Sequence, residues 1–294
     1  MLNTVVMTIA EWVSRAFPLE CMHAPFMQRA LLALLLIAPL AAVSGVQVVN
    51  SRMAFFSDAI GHSAFAGVAA GLVFGISVNI SMPLTAVLVG LTVMAMKRGS
   101  RLSSDTVIGV IFSAIAALGL AIVARDRSAA SGVRMFLFGD ILTIDAVQIA
   151  ILAGLLTAFT VFQIFAFNRL LLIGINPMLA AVHKVRVGLY QYVFAAMLAL
   201  VVIFSVRAAG VILVTALLVV PAAAARNFAR GAASMFYAAL AISFVSCVSG
   251  LMISAQEWAD VPAGAAVVLC AVAVFIVSMI FSAFRPKRTG DSAV

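Results

Sequence analysis

The chain has 294 residues, of which 65% are hydrophobic and 10% charged, with 18 basic and 10 acidic side chains and a mean hydropathy of +1.24. Soluble domains carry roughly 25% charge, so a water-soluble fold is excluded. The net charge of +8 reads as loop lysines and arginines at a membrane surface, with no nucleic-acid partner implied. Apolar runs of the ~20 residues that a bilayer helix requires recur along the chain. The fold class is all-α, a polytopic transmembrane helical bundle.

Residues 1–29 carry Glu11, Arg15 and Glu20 before the first long apolar run, and no small-residue cleavage site follows that run. This segment is read as interfacial, without a cleavable signal peptide. Within it, Cys21 and His23 offer two metal donors at most. Cys247 and Cys270 lie in apolar runs, where a thiol behaves as a small hydrophobe. Three cysteines without short spacing form neither a disulfide framework nor a zinc site.

Nine apolar stretches follow, near 30–50, 53–75, 80–96, 106–124, 143–166, 190–206, 208–226, 232–252 and 261–284. Some are short or nearly continuous, so the count is eight or nine spans. The segment Met135–Leu142 is too short to cross and reads as interfacial or re-entrant. Asp140 and Asp145 flank that segment's end, as helix caps or as the lining of an outer vestibule. Pro221 reads as a kink within a span.

Placing the tail Arg285–Arg288 in the cytoplasm and alternating backwards puts 12 basic residues inside and six outside. The six are Arg15, Arg29, Arg125, Arg127, Arg134 and Arg207. The positive-inside rule selects this orientation, with the N-terminus outside for nine spans. The domain division is then 1–29 as N-terminal segment, 30–284 as transmembrane domain and 285–294 as cytoplasmic tail. The longest inner segment, 167–189, mixes apolar and basic residues around Asn176 and Pro177. A loop of that length in a compact chain is usually functional when it is not disordered, and its apolar content argues for function.

Catalytic signatures are missing. No Gly-Lys pair exists to build a P-loop, and neither H-E-x-x-H nor G-x-S-x-G occurs. The histidines are His23, His62 and His183. The chain is read as a non-enzyme with no permanently bound cofactor.

One helix concentrates the chemistry. Asp58 and His62 sit four residues apart in the first third of the second span, about 40° from each other around a helix. Both are donors for zinc or manganese. Gly67, Gly71 and Gly75 fall roughly 180–260° around the same helix. Such a small-residue face admits a close neighbour. A charge cannot face lipid without costing at least a few kcal/mol, so Asp58 and His62 must face the bundle interior or a water-filled path. They are the candidate metal ligands, expected to be reached from the extracytoplasmic side. A merely structural pair is the alternative, as is a proton or ion relay in a secondary transporter or channel.

With these residues laid out, the chain resembles the permease subunit of bacterial zinc/manganese ABC importers. The resemblance rests on five ordered motifs. They are "SRMAFFSDAIGHSAFAGVAAG" from Ser51, "DTVIG" from Asp105, "LFGDIL" from Leu137, "GVILVTALLVVPAAAAR" from Gly210 and "DVPAGAAVVLC" from Asp260. It implies a plasma-membrane permease in which two copies form a pathway for Zn2+ or Mn2+. A separate ATPase subunit would hydrolyse ATP, and an extracytoplasmic metal-binding protein would deliver the ion. It also implies that Leu171–Leu189 carries the ATPase-docking helix, with Asn176, Pro177, Met178, Leu179, His183 and Lys184 as coupling residues. The family often has an acidic residue where this chain reads "AVHKV". His183 reads as a surface contact there, since a lone histidine has no second donor nearby.

Overall fold

The computed structural model describes residues 2–14, 24–100, 102–123, 141–256 and 261–284. Among them the regular structure is entirely helical. A short helix α1 (Leu2–Ser14) precedes α2 (Pro25–Asn50), α3 (Phe56–Phe74), α4 (Val78–Gly99) and α5 (Ser104–Val123). After a 3-10 turn at Ile141–Thr143 come α6 (Ala146–Ile175), the short α7 (Pro177–Val182) and α8 (Val187–Ala209). Then follow α9 (Val211–Arg226), α10 (Ala232–Ser254) and α11 (Ala263–Ala283). Nine long helices thus fall on the nine expected stretches.

Length and composition alone support fewer crossings. Among the described residues, six helices (α2, α4, α6, α8, α10 and α11) are long and apolar enough to cross a membrane. With 16 residues, α9 spans only ~24 Å against a ~30 Å hydrocarbon core. The expected eight or nine spans are therefore not given by these criteria.

Helix ends differ from the expectation where charged residues continue a helix. Lys97 and Arg98 form the last turn of α4. Arg169 lies within α6, which runs on to Ile175. The expected inner loop 167–189 is consequently mostly helix, interrupted at Asn176 and again between His183 and Arg186. Asp145 resolves as a cap: its carboxylate accepts from the Gln148 amide at 2.7 Å, and the Gln148 side chain accepts from the Asp145 amide. Pro221 sits inside an uninterrupted α9. Cys21, His23, Asp140, most of Met135–Leu142 and the tail 285–294 lie outside the described residues.

The bundle is organised around α2, whose most apolar window is 78% buried, against 22% for the peripheral α11. Small residues create the closest approaches, as packing in lipid requires. The backbone of Gly45 lies directly against the Leu218 carbonyl of α9, and Gly250 against Val267 of α11. On α3, a Cβ at Gly67 would lie 2.8 Å from the Met82 Cα, and one at Gly71 would lie 2.6 Å from the Ser81 hydroxyl. Gly75 does not share this role. Its φ of 66° closes α3 in the left-handed region, and nothing approaches its Cβ position.

Packing fixes which helix ends lie together. Phe56 at the start of α3 meets Gly90 late in α4, and Gly174 late in α6 meets the Asn50 carbonyl at the end of α2. Gly188 at the start of α8 meets Arg98, and the Asn227 amide donates to the Ser278 hydroxyl at 2.9 Å. This end carries Arg52, Lys97, Arg98, Arg169, Lys184, Arg186, Arg226 and Arg230. At the opposite end the described basic residues are Arg29 and Arg207, the latter donating to Asn79 at 2.7 Å.

The α3–α4 contact yields a stability test. Gly67→Val must push the Met82 backbone away, at ~1–3 kcal/mol for such overpacking. The thermal midpoint of the purified chain should fall by several degrees. Gly154→Ala, at a position with open space, should leave it unchanged or slightly raised. Equal midpoints for Gly67→Val and the parent chain would rule out this contact.

Candidate metal path and coupling face

The turn between α2 and α3 delivers Asp58. Arg52 adopts a φ of 53° and the Met53 amide donates back to the Val48 carbonyl at 3.0 Å, which reverses the chain tightly. Helix α3 then begins at Phe56, with no side-chain cap, and Asp58 occupies its first turn. A carboxylate there is favoured by the helix dipole, typically by 0.3–1 kcal/mol. Asp58 is half-buried and lies at the basic end of the bundle.

His62 follows one turn deeper, half-buried and within electrostatic reach of Asp58. Its ring packs edge-on against Phe65 at 5.4 Å and against Phe112 of α5 at 5.0 Å, with an interplanar angle of 87° to the latter. The two phenyl rings hold the imidazole between α3 and α5. The expected division of α3 holds in part: Gly67 and Gly71 face α4, while the Asp58 and His62 side turns to α5.

The structure adds a residue that sequence reasoning used only as a motif. Asp105, in the first turn of α5, lines a cleft of about 350 Å³ with Phe55, Asp58, Gly109 and Phe112. Two carboxylates thus open onto one space whose wall is the ring that contacts His62. The signal available in the sequence was that Asp58 and Asp105 are acidic residues at or near the edge of apolar runs, each close to basic residues assigned to one side. Among the described residues, no three His, Cys, Asp or Glu side chains come together as a metal cage. Asp58 and Asp105 are the two carboxylates that line this cleft.

A second cleft of about 360 Å³ lies at the same end. Arg52, Lys97, Ser104 and Gln191 contribute to it together with Gly174 and Pro177. It connects the α2–α3 turn to α7. Asn176 builds α7 by accepting from the Met178 and Leu179 amides at 2.9 and 3.2 Å, with Pro177 at the first helical position. Lys184 closes the segment with a φ of 58°. Only Ala180 of α7 is buried, whereas Met178 is 81% exposed and Val182 78%. Leu179 and His183 are exposed as well. The flanks are held by guanidinium–ring contacts: Arg98 lies 5.7 Å from the Tyr192 ring centroid and Arg169 5.2 Å from that of Tyr190. An apolar helix is thereby left exposed at the basic end of the bundle.

Known proteins share this architecture. The chain is 31% identical over 253 residues to the "High-affinity zinc uptake system membrane protein ZnuB" of Haemophilus influenzae, covering 85% of this chain and 95% of that protein. It is 31% identical over 264 residues to the "Manganese import system permease protein ScaB" of Streptococcus gordonii, covering 90% and 92%. The solved structure of PsaBC from Streptococcus pneumoniae in complex with Fab superposes with a TM-score of 0.74 at 27% identity, covering 92% of this chain and 95% of that one. The model of the ABC 3 transport family matches residues 23–282, nearly the whole helical bundle, and the chain belongs to that family.

Proposed function

We propose that the chain is the membrane-spanning permease subunit of an ATP-binding cassette importer for a divalent transition metal, with zinc the first candidate and manganese the second. The observation that carries this reading is the exposed apolar helix α7, seated at the basic end beside the Asp58–Asp105 cleft. A secondary transporter or channel has no use for such a helix, whereas a permease without its own P-loop needs a docking point for an ATPase. The relatives named for zinc uptake and manganese import support the choice of cargo. The protein is a subunit in transport and not itself an enzyme, and ATP is hydrolysed by its partner.

The basic end is cytoplasmic by the positive-inside rule, in a multi-pass protein of the bacterial inner membrane. All nine long helices cross, with α3, α5 and α9 as the short spans, and α1 lies on the outer side. This orientation moves the metal residues from the outer side expected from sequence to the inner mouth. Asp58, His62 and Asp105 then act in release of the ion, not in its admission. The extracytoplasmic metal-binding protein docks at the opposite end, near Arg207.

A second permease copy completes the path. Along α5, Asp105, Thr106, Gly109 and Ser113 are exposed in the single chain. The Asp105 carboxylate among them cannot rest against lipid without cost. A symmetric copy facing it would bring a second set of carboxylates to the same space. Weak, shared coordination suits a pathway, which must bind an ion enough to pass it and little enough to let it go.

Three experiments test these assignments. His62→Ala and Asp58→Asn should each reduce uptake of radiolabelled zinc or manganese about tenfold or more, with membrane levels unchanged. Wild-type uptake in both variants would make the pair structural. Replacing Met178 and Leu179 with aspartate should abolish co-purification of the ATPase while the chain still inserts, and retained co-purification removes the docking role of α7. For orientation, single cysteines are placed at Arg101, Ala229 or Ala255 in a chain whose own cysteines are replaced. Only the cysteine at Ala255 should react with an impermeant thiol reagent applied from outside, and the reverse pattern inverts the topology.

A further inference from the structure

Between α10 and α11, on the outer surface of the bundle, runs an apolar groove of about 530 Å³. Ile242, Val274, Val277, Phe281 and Phe228 line it, with the Ser278 and Ser282 hydroxyls on its floor and edge and no acidic side chain in its wall. Along α11 and its C-cap it extends from Val274 to Phe284, eleven residues or ~15 Å of helix. That is one leaflet, half of a ~30 Å hydrocarbon core.

The mouth of the groove is at the basic end. Phe228 belongs to the α9–α10 connection, which is tied to α11 by the Asn227 to Ser278 hydrogen bond. Arg226 and Arg230 stand two residues to either side of Phe228, and both are exposed. In sequence, Phe284 is followed at once by Arg285, Lys287 and Arg288. A leaflet-deep apolar slot walled at one end by Phe228, which Arg226 and Arg230 flank in the chain, matches a molecule with an acyl chain and a negatively charged head. Basic residues at a membrane surface attract anionic lipid, and basic pockets between helices on the inner side bind anionic head groups.

We propose that this groove is a binding site for one anionic phospholipid of the inner leaflet. An acyl chain lies along Val274, Val277 and Phe281, and the phosphate sits against Arg226 and Arg230. The site is separate from the metal path and from α7, so it stands or falls independently of which ion is carried.

The test uses the full-length chain reconstituted in nanodiscs of equal parts phosphatidylglycerol and phosphatidylcholine. The chain is then extracted in mild detergent and its retained lipid quantified by mass spectrometry. The parent chain should retain phosphatidylglycerol over phosphatidylcholine by about thirtyfold, as two arginines near a membrane surface provide. Arg226→Gln with Arg230→Gln, both at exposed positions, should erase that preference while lipid is still retained. Val277→Trp, which fills the groove, should reduce retained lipid of both kinds with an unchanged gel-filtration profile. An unchanged preference in the arginine variant overturns the proposal, even if Val277→Trp fails to fold. So does a rise in retained lipid on deleting residues 285–294, which would identify the chain's own tail as the occupant.

Discussion

The close approach of α3 to α4 is the constraint on which the site depends. Helices in lipid gain little from hiding apolar surface from one another, so contact between backbones and good packing must hold them. Gly67 and Gly71 let the Met82 Cα and the Ser81 hydroxyl approach where any side chain would collide. At the other end of the pair, Phe56 fits against Gly90. These contacts set both the tilt of α3 and its rotation about its own axis. Turning α3 by one residue, ~100°, would carry Asp58 and His62 away from α5. The side of α3 that carries Asp58 and His62 is therefore defined by the glycines on its other side.

Most of the bundle was legible because lipid imposes a length and a composition on every crossing. The nine apolar stretches coincide with nine helices, six of which are long and apolar enough to cross among the described residues. Boundaries were less legible where a helix outlasts its hydrophobic run. The Lys97–Arg98 pair and Arg169 read as loop, yet each continues a helix whose end projects among other basic residues. Such residues satisfy their backbone within the helix and extend their charge towards water, so polarity alone does not mark the end. By contrast, Asn176 followed by Pro177 is a local start signal, and the structure uses it as one.

The site was half legible. Asp58 and His62 stood out because ionisable residues are rare inside apolar runs. Their i, i+4 spacing also predicted a shared face. Asp105 carried the same kind of signal, an acidic residue opening a helix, but its meaning is tertiary. Nothing local to residues 105–112 shows that Phe112 packs on His62 or that Asp105 shares a cleft with Asp58. Depth was the other missing quantity. The sequence placed Asp58 inside a span beginning at Met53, whereas the tight turn at Arg52 delays the helix to Phe56. The carboxylate consequently sits in the opening turn and not within the helix body.

That turn also explains how two sites at one end can act as one. With 30 residues α6 is ~45 Å long, more than a bilayer core, so its last turns carry α7 beyond the hydrocarbon region. Just before α7, Gly174 rests on the Asn50 carbonyl, the residue from which the α2–α3 turn departs. From Asn50 the chain passes through the reversed backbone of Arg52 and reaches Asp58 within eight positions. The path from the exposed apolar helix to the carboxylate thus crosses a single non-covalent contact, and that contact is backbone against backbone. A side chain at position 174 would crowd that carbonyl, so the glycine lets the end of α6 lie close to the end of α2. The base of α7 and the start of the turn that leads to Asp58 are thereby neighbours.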